Sequence, residues 1–445
     1  MRNKEAQPSQ KISLPSPFVL AIGLSLLAWL AALGLTRTAD SAWLGYGIEL
    51  LGFWEKGFWE LLDFSMQMML ILILGHALAL SKPAKRIINH ISTIPQNGTQ
   101  AVVLLCFISL LTGLLNWGLG LVFSAILARH MAEAAAQRNM PINYPLLGAA
   151  AYSCMLLWHA GFSGSAPLKV AEPEHFLVAE IGIIPVTHTI FSQLNLSVVA
   201  LSLLLLPLLL GQLAARKPGM VHQLSGQKQP ATESAADAGA ADRNRWLGTS
   251  FGLLMVLFAL AKPFRENLGM LQILNLNYIN FLLFGSCLMA HGSISKFVSA
   301  VNQAITDGTG IMLQFPLYAG IMGLVKYSGL MGLLTQQMLL IASPDSFPII
   351  TLFSAGLVNI FVPSGGGQWI VQGPLIVACA QELQISIPKA IMALAYGDQL
   401  TNMMQPFWAL PLLAITGLSA RKILPYTLIL MAAGFTIFAL CLWLI

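Results

Sequence analysis

The chain has 445 residues, of which 56% are hydrophobic and only 9% charged, against about 25% charged in ordinary soluble domains. That balance excludes a soluble globular enzyme and a nucleic-acid-binding protein, and points to a polytopic membrane protein. The net charge of +5 matters less than where the charges fall.

Residues 1–17 are polar, carry Arg2, Lys4 and Lys11, and are expected to form a cytoplasmic N-terminal tail. Phe18 to Thr36 is an apolar run longer than the 7–15-residue core of a signal peptide, so it reads as a retained first membrane helix. Arg37 to Glu60 holds Trp43, Tyr46, Trp54 and Trp59 and reads as an interfacial aromatic belt. Phe58 to Leu80 is the second span, ending at Lys82, Lys85 and Arg86.

Two short apolar arms follow, Ala101 to Leu115 and Leu121 to Ala128, around Asn116-Trp117-Gly118-Leu119-Gly120. Basic residues at both ends predict a re-entrant hairpin that enters and leaves on the cytoplasmic side. Pro145 to Leu168 is a span interrupted at Ala160 to Pro167. Glu172, Glu174 and Glu180 then read as external, and Thr187 to Leu210 returns to Arg216 and Lys217.

Residues 216–245 form a polar linker with Lys228, Arg243 and Arg245, expected as a flexible cytoplasmic loop between two halves. Residues 246–262 are a connecting helix, and Ile273 to Ala290 and Thr309 to Leu324 are two further spans. Ile349 to Leu357 and Trp369 to Ala380 are arms of near ten residues, too short to cross a bilayer, which takes about 20. Between them Pro363 and three glycines open the backbone. In lipid such a tip is tolerated only where protein or a water-filled cavity covers it, so it marks a site; the bland alternative is an extramembrane turn. An interrupted span, Pro388 to Thr416, and a last span, Leu424 to Ile445, complete the chain. Most of the 23 Lys and Arg fall in the segments read as cytoplasmic.

The expected fold is all-α, with about nine spanning helices, two re-entrant hairpins and two interrupted helices. Asn116 to Tyr152 is 36 residues and Asn359 to Tyr396 is 37; Tyr152 to Pro167 and Tyr396 to Pro411 are both 15. Residues 18–215 and 263–445 therefore read as two repeats, inverted because one connecting helix separates them. Inverted repeats with paired broken helices point to a secondary transporter with its site near the midplane. Cys106, Cys154, Cys287, Cys379 and Cys441 all lie in apolar segments without metal-type spacing and read as buried thiols.

Val362-Pro363-Ser364-Gly365-Gly366-Gly367-Gln368-Trp369, Ala395-Tyr396-Gly397-Asp398-Gln399, Gln405-Pro406-Phe407-Trp408-Ala409-Leu410-Pro411 and Gly161-Phe162-Ser163-Gly164-Ser165 resemble the bacterial short-chain fatty acid transporter family, from about Pro17 to the C-terminus. More distantly the chain is similar to the ion-transporter superfamily that includes sodium-coupled di- and tricarboxylate carriers. The resemblance implies uptake of butyrate- or acetoacetate-class monocarboxylates across the inner membrane. It also implies a homodimeric scaffold and a mobile unit of hairpins and broken helices working as an elevator.

A short carboxylate needs one anion contact and a small apolar pocket. Half-helix N-termini offer free N–H groups and roughly half a positive charge each. The candidate substrate-binding residues are Asn116, Ser163, Gly164, Ser165, Asn359, Pro363, Ser364, Gly365, Gly366, Gly367, Asn402 and Gln405. Trp369, Phe407 and Trp408 are candidate walls for the alkyl tail. No Arg or Lys lies in the four motifs, which argues for monocarboxylates over dicarboxylates. No cofactor is expected beyond Na⁺ or a proton as coupling ion, with Asp398, Asn116 and Asn359 as candidates. A buried charge needs a reason: Asp398 can carry a proton, help hold Na⁺, or cap a half-helix. His159 reads as a structural histidine at the first break. His76 is assigned to helix packing or the interface, and Asp63, Asp307 and Lys326 to span ends. Two other classes remain open. One is a sodium-coupled dicarboxylate or other anion carrier. The other is an intramembrane serine hydrolase built on Gly161-Phe162-Ser163-Gly164, with His188 or His291 as base.

Overall fold

A computed structural model describes residues 17–220, 240–269, 271–405 and 408–445. Residues 1–16 of the expected N-terminal tail, linker residues 221–239 and Phe407 lie outside the described residues. Apart from an isolated bridge between Ile142 and Met220, the regular structure among the described residues is helical.

The first half holds α1 (Pro17–Leu35), α2 (Trp43–Glu60), α3 (Leu62–Ala79), α4 (Lys82–Ile91), α5 (Gly98–Leu115), α6 (Trp117–Gln137), α7 (Tyr144–Tyr152), α8 (Ser165–Lys169), α9 (Val178–Ile181) and α10 (Gln193–Arg216). After α11 (Ala240–Arg243) come α12 (Arg245–Glu266), α13 (Leu276–His291), α14 (Ile294–Tyr327), α15 (Leu330–Leu339), α16 (Phe347–Phe361), α17 (Gly365–Glu382), α18 (Ile387–Thr401), α19 (Leu410–Thr416) and α20 (Ala420–Leu444). Polar side chains start many of them. Asn97, Asn143, Ser192, Asn275 and Ser386 each accept a hydrogen bond from a backbone N–H of the first turn they precede, which satisfies one of the donors a helix start leaves open.

Seven of the described helical stretches are long and apolar enough to cross a membrane, or nine if each of two sharply bent pairs counts as one span. The bends are 120° between α13 and the start of α14, and 80° between the end of α14 and α15. Large apolar side chains are exposed along α1, α10, α12 and α20, among them Leu26, Leu204, Leu254 and Trp443. A water-soluble surface rarely carries so much contiguous apolar area. The chain is a multi-pass membrane protein.

Four expectations change. The belt around Trp43–Trp59 is a helix, α2, which leads into α3 through Leu61. The span Thr309 to Leu324 is part of the 34-residue α14. The hairpin arms are not half-length: α5, α6, α16 and α17 have 18, 21, 15 and 18 residues. The apolar run underestimates them because their polar residues pair inside the protein instead of ending the helix. Gln368 Nε2 donates to Gln372 Oε1 at 2.8 Å and to the Ala355 carbonyl at 2.8 Å, and Arg129 donates to the Ile415 carbonyl at 3.1 Å. Finally, Glu172 is buried beside Lys169 and not in solvent as an acidic loop residue would be, while Glu174 and Glu180 are exposed.

The same succession occurs twice: a hairpin (α5–α6, α16–α17), an interrupted helix (α7 to α8, α18 to α19) and a long final helix (α10, α20). Each interruption hydrogen-bonds the first arm of its hairpin. The Phe162 N–H donates to the Leu114 carbonyl at 2.7 Å, and Gln405 Nε2 donates to the Asn359 carbonyl at 2.7 Å.

Candidate functional site

The second hairpin turns through Val362, Pro363 and Ser364. Ser364 is extended and caps α17: its Oγ accepts from the Gly367 N–H at 3.3 Å. The first turn of α17 is Gly365-Gly366-Gly367, so its backbone comes close to its neighbours. A Cβ at Gly365 would run into His159 Nε2 and the Trp158 ring, and only glycine lets the helix start close on both.

The first hairpin turns at Asn116. Its Oδ1 accepts from the Leu119 N–H at 2.8 Å and its Nδ2 donates to the Ile71 carbonyl at 3.0 Å. Ser163, from the first break, accepts from the Trp117 N–H at 3.0 Å. These two polar side chains, read as substrate contacts, are occupied as caps of α6. Gly164 immediately precedes α8, and Ser165 opens it with a buried hydroxyl that has no partner among the described residues.

A narrow crevice lies at the start of α17. Ser364, Gly365, Trp117, Trp158 and Trp408 line it together with Met68, Met155 and Phe315. It has room for little more than a water molecule in this conformation. None of its lining residues is charged. Trp117 and Trp158 are buried, and neither indole N–H has a hydrogen-bond partner among the described residues. Of the expected tail walls, Trp408 belongs to the crevice. Trp369 does not: it is fully buried and packs near Phe176, with ring centroids 6.1 Å apart.

Immediately behind the crevice a histidine meets a carboxyl group. His159 Nε2 and Asp398 Oδ1 are 2.9 Å apart, and neither side chain has exposed surface. Trp158 lies against the His159 ring, with centroids 3.7 Å apart. His159 Nδ1 and Asp398 Oδ2 have no hydrogen-bond partner among the described residues. Asp398 sits near the C-terminal end of α18, so the helix-cap reading does not hold, because capping carboxylates belong at N-termini. Next to it, Asn359 Nδ2 donates to the Asp398 carbonyl at 2.7 Å, to Thr401 Oγ1 at 2.9 Å and to Asn402 Oδ1 at 2.9 Å. Asn359 Oδ1 and Gln405 Oε1 are buried without partners among the described residues. No group of three or more His, Cys, Asp or Glu that could hold a metal occurs among the described residues.

A second buried charge cluster was hidden from the sequence. Lys169 Nζ donates to Glu172 Oε2 at 2.6 Å and to Gln67 Oε1 at 3.1 Å. Gln67 Nε2 donates to Glu172 Oε1 at 3.0 Å and to Asn277 Oδ1 at 2.9 Å. The cluster joins α8 and the segment after it to α3 and α13. Lys169 follows directly on an apolar run, so it reads as a span end; only its acceptors identify it as internal. Trp117 and Trp158 were also missed, because tryptophan in a membrane protein reads first as an interfacial anchor. Ser163 Oγ is hydrogen-bonded to the Trp117 N–H and to no base among the described residues, and His291 is engaged with the Ala77 carbonyl at 2.8 Å, so the nucleophile reading has no geometry behind it.

The family described as Short chain fatty acid transporter matches residues 6–445. A candidate short-chain fatty acid transporter of Escherichia coli K12 is 37% identical over 422 residues, covering 93% of this chain and 92% of that protein. One of Haemophilus influenzae is 36% identical over 427 residues, with the same coverage of 93% and 92%. Two solved structures share the fold: the YdaH transporter of Alcanivorax borkumensis (TM-score 0.61, 16% identity, 96% of this chain and 98% of that one), and MtrF of Neisseria gonorrhoeae, described among antimetabolite efflux pumps (TM-score 0.61, 14% identity, 97% and 96%). These relatives are transporters rather than enzymes.

Proposed function

The chain belongs to the short-chain fatty acid transporter family, and from that premise we propose that it takes up butyrate- or acetoacetate-class monocarboxylates across the bacterial inner membrane as a cation-coupled secondary transporter. The observation that carries this reading is the uncharged crevice at the start of α17. An anion is favoured at a helix N-terminus. The thioether and aromatic walls suit a short alkyl chain, at about 0.8 kcal/mol per buried CH₂. That small increment per carbon makes a range of short acids a better fit than one acid. A dicarboxylate would bring a second charge into a crevice whose lining residues are all uncharged.

Coupling is assigned to the Asp398–His159 pair. Trp158 touches both the crevice and His159, so occupancy of one is felt by the other through a single side chain. Movement is assigned to the hairpins and interrupted helices, as an elevator within a homodimer whose N-termini are cytoplasmic. The Lys169–Glu172–Gln67–Asn277 cluster joins α8 to α3 and α13, and is a contact such a movement has to rearrange.

The test is uptake of labelled butyrate into proteoliposomes under separately imposed Na⁺ and proton gradients. Accumulation above equilibrium with one gradient is expected. Accumulation of succinate in preference to butyrate would instead favour the dicarboxylate carrier.

A further inference from the structure

We infer that the substrate carboxylate is held by the indole N–H groups of Trp117 and Trp158 at the start of α17, and that this uncharged donor set selects a monocarboxylate. The inference rests on the transport reading above.

The two rings come from different elements. Trp117 is the first residue of α6, and Trp158 lies in the break between α7 and α8. Their centroids are 5.9 Å apart, and both side chains line the same crevice. Trp117 is 3% exposed and Trp158 is 4% exposed, and neither N–H meets an acceptor among the described residues. A buried donor without an acceptor is destabilising, and two such donors on one crevice point to a guest that brings acceptors.

The guest's chemistry follows from the remaining wall. Ser364 Oγ accepts from the Gly367 N–H, which leaves its own hydrogen free to donate. Gly365 begins α17, where backbone N–H groups lack helical partners and the helix dipole favours negative charge. All these groups are donors, and none carries a full charge. Met68, Met155 and Phe315 supply the apolar side. A two-oxygen anion with a short apolar tail matches a lining that offers both donors and apolar surface. A second carboxylate in this crevice would be buried without a counter-charge, which is costly.

The test is competition against labelled butyrate on the purified full-length protein, using butyrate, butyramide and succinate. Butyramide keeps the tail and loses the charge. Trp117→Phe and Trp158→Phe each keep a ring in the wall and remove one donor. Hydrogen bonds to charged partners are stronger than neutral ones, so each variant is expected to lower the butyrate-to-butyramide affinity ratio about fivefold to tenfold. A merely structural loss would lower both affinities together and leave the ratio where it was; an unchanged ratio in both variants overturns the inference. Should either variant fail to purify, the wild type still decides: succinate competing as well as butyrate overturns the uncharged donor set as the selector. Wild-type protein that binds no butyrate counts against the transport reading itself, a different result from binding with an unchanged ratio.

Discussion

His159 and Asp398 lie 239 residues apart in the chain, and their side chains meet at 2.9 Å with no exposed surface on either. One comes from the break of the first interrupted helix and the other from α18 of the second. A buried carboxylate away from water needs a partner, and here the partner sits against the crevice through Trp158.

If this pair carries the coupling ion, Asp398→Asn abolishes gradient-driven accumulation of butyrate. Exchange of labelled for unlabelled substrate survives, because exchange needs the binding crevice but not net ion release. Asn keeps the size of the side chain, and the Asn359 hydrogen bond goes to the backbone carbonyl and is untouched. Both readouts come from one proteoliposome preparation. Robust uphill uptake by the Asn variant would refute the coupling role.

Gly365→Ala places a methyl group against His159 Nε2 and the Trp158 ring. Overpacking of this kind costs about 1–3 kcal/mol, and the disturbance falls on the crevice and the His159–Asp398 pair together. Butyrate transport is expected to fall about tenfold or more, a larger loss than the change in thermal stability accounts for. Gly332→Ala on α15 is the control, since a Cβ there meets nothing within 4 Å. Equal effects of the two substitutions would show that the tight approach at Gly365 is irrelevant.

Lys169→Met leaves Glu172 buried without its cation. Removing one member of a buried ion pair costs about 3–5 kcal/mol. Adding Glu172→Gln removes the stranded charge and is expected to recover most of that loss. Melting temperatures of the single and double variants in detergent measure both. If the double variant melts no higher than Lys169→Met, the pair is not what makes the single change costly.

His175 gives a pH dependence outside the membrane-spanning segments. Its Nδ1 accepts from the Leu177 N–H at 3.2 Å, and its Nε2 lies 2.8 Å from the Gly182 carbonyl, an arrangement that suits the neutral ring with the proton on Nε2. Burial holds the imidazole below its ordinary value of 6.5; nearby Lys169 adds to this, while the Gly182 hydrogen bond, Glu172 and Glu180 oppose it. The unfolded chain then takes up a proton that the folded chain resists. The stability from this residue is present above pH of about 6.5 and is lost as the pH falls below it. Melting temperatures from pH 7.5 down to 5.5 should fall less in His175→Gln than in the wild type. Parallel curves for the two proteins would exclude this role.

Composition and apolar run length determined the membrane class without any structure, because the bilayer imposes its thickness on local sequence. Asn116, Pro363 and the glycines after Ser364 marked both hairpin tips, since helix breakers act on their own backbone. Asp398 stood out as a lone carboxylate in an apolar setting. Helix lengths were less legible: Gln368 and Arg129 look like ends until their partners are seen. The contacts were decided by tertiary structure alone. Tyr152 donates to the Asn402 carbonyl of the second break, and Tyr396 donates to Asn195 Oδ1, whose amide donates to the Ala160 carbonyl of the first. Periodicity and spacing locate a residue on its own helix. They do not say which residue, some 200 positions away, packing will bring against it. For that reason His159 with Asp398, Lys169 with Gln67, and Trp117 with Trp158 emerged only when the helices were assembled.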